Sequence, residues 1–216
     1  VANEKIYRSG FGKVIDAITF PIRALFMIDD GKFGLSSLRE ERMRAVAPFC
    51  AGRVLDIGCG PGNIFIKEYI GVENGVGIDV FPYDGVENVI EDMVNLPFDD
   101  CSFDTVTLIA VGGHIPKSKR AAEFEEFARV LKAGGLLVMT EGEPITQLLL
   151  HKWASFYFSL QGELDMDSER GMEEEEEYCM PREELLTYLN TPPLKLVKRK
   201  RFMWGLNNVY LAEKSA

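Results

Sequence analysis

The chain has 216 residues, 46% hydrophobic and 27% charged, a balance that supports a sizeable core and excludes a disordered or collagen-like chain. Its 34 acidic and 24 basic side chains give a net charge of −10, which argues against a broad polyanion-binding surface, because each phosphate contact normally uses a Lys or Arg. No apolar run approaches the roughly 18 residues of a bilayer-spanning helix, the charged start from Val1 to Ser9 does not read as a signal peptide, and Cys50, Cys59, Cys101 and Cys179 form no CxxC, so they read as reduced thiols of a cytoplasmic protein without a metal site.

The first fifty residues read as a helical cap. Val14, Ile15, Ile18, Ile22, Leu25 and Phe26 recur at spacings of three and four, the signature of an amphipathic helix. Pro21 is expected to kink or restart it, and Gly31 and Gly34 to end it. Ser37 with Glu40 makes a capping box for a second helix that carries Leu38, Ala45, Val46 and Phe49 along one side.

From residue 51 the pattern alternates. Strands are expected at 53–57, 76–80, 88–91, 105–110 and 136–140, with helices at 63–70 and 119–132. Ser118 is a plausible cap for the second of these helices, and Gly134 its stop. Repeated β then α implies an α/β fold with a mostly parallel sheet covered on both faces. An aromatic-rich helix is expected at 145–160, a short helix at 181–190, and an antiparallel pair of strands at 195–202 and 208–212. Lys195, Lys198, Arg199, Lys200 and Arg201 fall in that pair, where basic side chains guard a sheet edge rather than bind nucleic acid. The organisation reads as a single domain: a helical cap (1–50), a ligand-binding core (51–141), a helical lid or substrate segment (142–190) and a C-terminal strand pair (191–216).

The segment that carries chemistry is Val54-Leu55-Asp56-Ile57-Gly58-Cys59-Gly60-Pro61-Gly62. A buried strand ends in an acid and runs into a glycine turn and a helix, which places free backbone N–H groups beside a ligand at the carboxyl end of the first strand. The dinucleotide fingerprint GxGxxG fails at Asn63. An ammonium and a carboxylate suit Asp56 and the glycine N–H groups better than a pyrophosphate does.

This segment resembles the first motif of the class I S-adenosylmethionine-dependent methyltransferases, an acid followed by GxGxG, at Asp56, Gly58, Gly60 and Gly62. Further matches follow in order: Asp79 in Val76-Gly77-Ile78-Asp79-Val80, then Glu91-Asp92-Met93 with Leu96-Pro97-Phe98, Phe103-Asp104-Thr105-Val106, and Arg129-Val130-Leu131-Lys132-Ala133-Gly134-Gly135. The resemblance covers about residues 50–141 and is nearest in style to the small-molecule and quinone- or lipid-type branch. It implies a Rossmann-like, doubly wound, mostly parallel sheet of seven strands with an antiparallel C-terminal strand and an N-terminal helical lid. It also implies S-adenosylmethionine as cofactor, with S-adenosylhomocysteine as product. Asp79 would accept hydrogen bonds from the ribose hydroxyls, and Asp92 from the adenine amino group with Met93 on the ring. Cys59, Val80, Phe81 and Ala110 complete the implied cofactor site. One departure stands out: only nine residues separate Asp79 from Val89, too few for a full crossover helix. Phe81 is then a candidate to cover the adenine edge.

Because the methyl donor is already activated, a base is needed only where the acceptor must lose a proton. His114, just past the fourth strand, is the candidate base. His151 reads as a packing residue. Glu141 and Glu143 either face the pocket or sit solvated at the surface. The chain lacks the Asn-Pro-Pro-Tyr type signature of adenine and glutamine amino-group methyltransferases after strand four. The expected reaction is methyl transfer to oxygen or carbon of a small, apolar or aromatic acceptor, with Phe26, Met27, Trp153, Tyr157 and Met180 as possible walls. The acidic run at 173–177 reads as a solvated loop, and the segment 145–160 lacks the basic face of a membrane-bound helix. A protein or RNA methyltransferase, or a catalytically silent cofactor-binding module, is the alternative.

Overall fold

The computed structural model describes residues 8–26, 31–143, 152–153, 175–177 and 179–215. The expected helix at 145–160, with His151, and the walls Met27 and Tyr157 lie outside the described residues. The strands are β1 Val54–Ile57, β2 Gly75–Asp79, β3 Asn88–Val89, β4 Phe103–Ile109, β5 Leu131–Gly142, β6 Leu194–Phe202 and β7 Asn207–Lys214. The α-helices are α1 Gly10–Leu25, α2 Leu38–Val46, α3 Arg120–Val130 and α4 Arg182–Tyr188.

The strands form one seven-stranded sheet in the order β3-β2-β1-β4-β5-β7-β6. β1 to β5 run parallel, β7 is antiparallel to β5, and β6 is antiparallel to β7. β1 is central and buried along its whole length. Its alternation sets the layers, because successive side chains point to opposite faces. Val54 joins Met43 and Val46 of α2 and Phe65, Ile66 and Tyr69 on one face. Leu55 and Ile57 join Phe124 and Phe127 of α3 and Leu185 and Leu189 on the other. Asp56 therefore shares the face of Val54 and points toward the α2 side. β6 is an edge strand as expected, with Lys198 over the Phe49 ring and Arg199 over Tyr210.

Several local expectations are corrected. Residues 61–70 form not one α-helix but a 3-10 turn, Pro61–Asn63, and a π-helical turn, Phe65–Ile70. α3 ends at Val130 and β5 begins at once, so Gly134 (φ +74°) lies inside the strand rather than stopping the helix. Ser118 does not cap α3, because its N–H and hydroxyl are both taken by Glu175. β3 is two residues long, and the link from β2 is a turn, as the short spacing requires. Asn63, which stands where a third glycine would fall, adopts φ +48° and lies under β2.

α1 reverses its expected orientation. Pro21 sits inside a continuous helix. The apolar stripe Val14, Ile18, Ile22, Leu25 and Phe26 is exposed, whereas Asp16, Phe20, Arg23 and Ala24 are buried. Arg23 is fully buried and donates to the carbonyls of Asp16 and Ser36, to Thr19 Oγ1 and to Glu41. Asp16 accepts from Ser36 Oγ at 2.8 Å and from Arg8 Nε at 3.0 Å. A buried guanidinium left without partners costs several kcal/mol, and these bonds satisfy it in the observed orientation. The Ser37–Glu40 capping box that opens α2 is present, with both bonds at 3.0 Å.

Gly77 faces Asn63 so closely that a Cβ there would lie 2.1 Å from its Oδ1. Gly77→Ala is expected to lower stability by about 1–3 kcal/mol, read as a shifted urea midpoint.

Candidate active site

The glycine turn after β1 divides two cavities. Gly58 (φ +64°) has no room for a side chain, since a Cβ would lie 2.7 Å from Val111 Cγ2, whereas the space beside Gly60 (φ +64°) is open. Ala110, at the end of β4, holds φ +60°, and its N–H donates to Thr140 Oγ1 at 2.9 Å. Strained backbone of this kind persists only where the surroundings over-determine it, commonly at sites. Gly58, Gly60 and Ala110 line both cavities. Gly62 lines neither; its N–H donates to Asp84 O at 2.7 Å and pins the turn that replaces the second crossover helix.

The larger cavity, about 460 Å³, brings together Asp79, Val80, Phe81, Asp92, Met93, Ala110 and His114. Asp79 Oδ2 accepts the N–H of Gly60 at 2.9 Å and Oδ1 accepts that of Phe81 at 3.0 Å. Each oxygen retains a lone pair that can accept a hydroxyl. Asp92 Oδ1 accepts from Val94 N–H at 3.0 Å. Phe81 pairs with Tyr83, ring centroids 4.5 Å apart, and both line the cavity where a crossover helix would otherwise cover it. Tyr83 was not foreseen; its signal was the aromatic pair inside the shortened crossover. Glu123 of α3 also lines this cavity. Burial, helped by Asp92 and opposed by Lys119, raises its carboxyl to about 7.

The smaller cavity, about 220 Å³, is lined by Asp56 and Cys59 with Arg39 and Arg42 of α2. Asp56 accepts from Thr107 Oγ1 at 2.6 Å. Burial raises its carboxyl to about 7, against the pull of that bond and with a push from Asp79. Burial also drives the Cys59 thiol up to about 12. Arg42 Nε is shielded from solvent with no hydrogen-bond partner, and desolvation lowers the guanidinium while Glu141 and Glu41 hold it up. α2 was read only for its cap and its apolar side, so its arginines were missed.

His114 sits in the loop after β4. Its Nδ1 lies 3.1 Å from Glu176 Oε2, and that carboxylate is fully buried. The acidic run is therefore not a solvated loop where it is described. Glu175 accepts from Ser118, Glu176 meets His114, and Glu177 pairs with Lys117 and Arg120. The basic Lys117-Ser118-Lys119-Arg120 that follows His114 is the sequence signal for that strap.

Glu143 lines neither of these two cavities; it binds Arg182, Arg199 and Asn208. Glu141 is buried beneath Gly112, with Oε2 unpaired and its carboxyl raised to about 8, chiefly by burial. Met180 belongs to the main core rather than a pocket wall. Phe26 is exposed, and Trp153 Nε1 donates to Leu25 O at 2.8 Å. Neither lines the two cavities.

Residues 55–139 match the methyltransferase domain family. The chain is 30% identical over 137 residues to the 2-methyl-6-phytyl-1,4-hydroquinone methyltransferase of Synechocystis sp., covering 50% of this chain and 42% of that protein. It is 33% identical over 108 residues to a Mus musculus protein named probable tRNA methyltransferase 9B, covering 47% and 22%. The chain thus spans less than half the length of these curated relatives. In structure it is similar to a SAM-dependent methyltransferase from Methanosarcina mazei, with a TM-score of 0.52 and 23% identity over 79% of this chain and 97% of that one. The matched segment, residues 55–139, contains β1, the glycine turn and Asp79, so both cavities are built largely from the part of the chain that is similar to methyltransferase domains, on a fold shared with such structures.

The raised carboxyls have a consequence for stability. Asp56, Glu123 and Glu141 titrate at about 7, 7 and 8 when folded, so between about pH 4 and 8 the native state holds protons that the unfolded chain has released. Stability then falls as pH rises through that window. Carboxyls held low by their partners, such as Glu126 and Asp104, change only at more acidic pH. The melting temperature is expected to be highest near pH 5 and to drop by about pH 8, with a shallower drop in Glu141→Gln.

Proposed function

We propose that the protein transfers the methyl group of S-adenosylmethionine to a hydroxyl oxygen or ring carbon of a small aromatic acceptor of the hydroquinone class, with His114 as general base. The observation that carries this reading is the His114–Glu176 pair at the larger cavity. With Nδ1–H donated to the buried carboxylate, Nε2 is left as the proton acceptor, and Glu176 holds the ring and balances the imidazolium. Nε2 takes the hydroxyl proton of the acceptor, which raises electron density on both its oxygen and its ortho carbon.

The residues fit the cofactor. When bound, S-adenosylmethionine supplies a methyl group activated on a sulfonium. The larger cavity suits its adenosine half: Asp79 toward the ribose, Asp92 and Met93 toward the base, Phe81 and Tyr83 along the ring edge. The smaller cavity suits the amino-acid half. Asp56 faces the ammonium, and the unpartnered Nε of Arg42 faces the carboxylate. Alignment across the glycine turn and exclusion of water are the remaining contributions of the chain.

The named activity of the Synechocystis relative supports a hydroquinone acceptor. The mouse relative's name brings an RNA acceptor into view; the net charge of −10 disfavours it, because a polyanion is held mainly by Lys and Arg.

Calorimetry with S-adenosylhomocysteine is expected to give binding that Asp79→Ala weakens about 10- to 100-fold, the value of one or two charged hydrogen bonds. Arg42→Ala is expected to weaken S-adenosylhomocysteine about tenfold or more yet leave methylthioadenosine, which lacks the amino-acid end, unaffected. In turnover with a hydroquinone, His114→Gln is expected to lower kcat by about 10²–10⁴ at unchanged cofactor affinity. Methylation of tRNA in place of the hydroquinone would overturn the acceptor.

A further inference from the structure

α1 is an amphipathic helix mounted the wrong way round. An ordinary surface helix turns its apolar stripe to the core. In α1 the polar side is anchored instead, through the buried Arg23 and Asp16 network. The stripe left outside is long and continuous: Phe11, Val14, Ile18, Ile22 and Leu25 all point to solvent, with Phe11 77% and Ile18 71% exposed. Spacings of three and four place these side chains on one arc of the helix. Exposed apolar arrays of this extent mark interaction surfaces rather than ordinary solvent-facing helix.

Two tryptophans border the helix. Trp204 donates its Nε1–H to Ala17 O at 2.8 Å and remains 63% exposed. Trp153 donates to Leu25 O at 2.8 Å. Each ring is tied to the helix by its polar edge while its apolar body stays outside, the arrangement that suits indole to the boundary between water and lipid.

Charge selects the occupant. The chain carries −10 overall, yet no exposed acid lies on α1, whose one carboxylate, Asp16, is buried. The groove along the Trp204 flank holds Lys13 and Lys200, with Arg44 paired to Glu40. Its two carboxylates, Asp16 and Glu41, are already paired with Arg8 and Arg23. Lys152 is exposed beside Trp153. An apolar stripe with basic flanks is complementary to an anionic bilayer, where the stripe enters the acyl boundary and the lysines meet headgroup phosphates. A second copy of the same face would set these cations against one another.

We infer that α1 docks this protein onto the surface of an anionic lipid membrane. Docking is independent of the methyl acceptor and is read without turnover, although a lipid-soluble hydroquinone would be met at that surface.

The test is sedimentation of the full chain with vesicles of phosphatidylglycerol and phosphatidylcholine in equal parts, against phosphatidylcholine alone. Binding to the anionic vesicles is expected, weakened by salt. Ile18→Asp and Ile22→Asp should each lower the bound fraction about tenfold or more, with S-adenosylhomocysteine affinity and melting temperature unchanged. No binding by the natural chain, or equal binding by the aspartate variants, would overturn the inference. So would a dimer in light scattering that Ile18→Asp splits, which assigns the stripe to a second copy. Loss of folding in both aspartate variants would likewise overturn it, since the stripe would then be packed by the chain itself.

Discussion

One carboxylate ties the site together. Asp79 ends β2 and accepts the N–H of Gly60, in the turn after β1, and that of Phe81, in its own following loop. Two neighbouring parallel strands thus share a single acceptor where their loops diverge. The glycine turn can then open toward a ligand without collapsing onto β2, and the crossover that follows can shrink to a turn whose aromatic pair still faces the cavity. Both cavities border the segment that this carboxylate holds.

The two halves of the site differ in character. In the larger cavity Asp79 and Asp92 are already engaged by backbone donors. The smaller one concentrates groups at odds with their surroundings: Asp56 raised by burial, Arg42 lowered by it, and Glu141 with an unpaired oxygen nearby. On the proposed reading a zwitterionic ligand end would relieve that imbalance, because it would bring a partner of each sign. The cost appears in the free protein as ionisations that oppose folding above mildly acidic pH.

Much of this was legible from residues alone. The acid and glycines after β1, the second acid after β2 and the stripe of α3 are local patterns, and each fell where its period or turn chemistry required. The lost crossover helix was a matter of counting residues against the span of a parallel connection. Capping failed at Ser118 and succeeded at Ser37, because a cap is legible only when no distant group competes for the same donors; Glu175, 57 residues away, takes Ser118. The stop at Gly134 failed for a related reason: β4 captures the chain at Leu131 before a glycine is needed to end the helix.

The sequence by itself determined the order of the strands, the parallel sheet and the residues of the glycine turn, since these follow from backbone preference and short-range hydrophobic period. Tertiary structure decided which side of α1 faces in, that the acidic run straps His114, and that α2 brings arginines to Asp56. Each of those depends on pairing a buried charge with a partner from another part of the chain. Hydrophobic period has no access to such pairings, because it reports where apolar groups recur and not which ions must be satisfied when the elements meet.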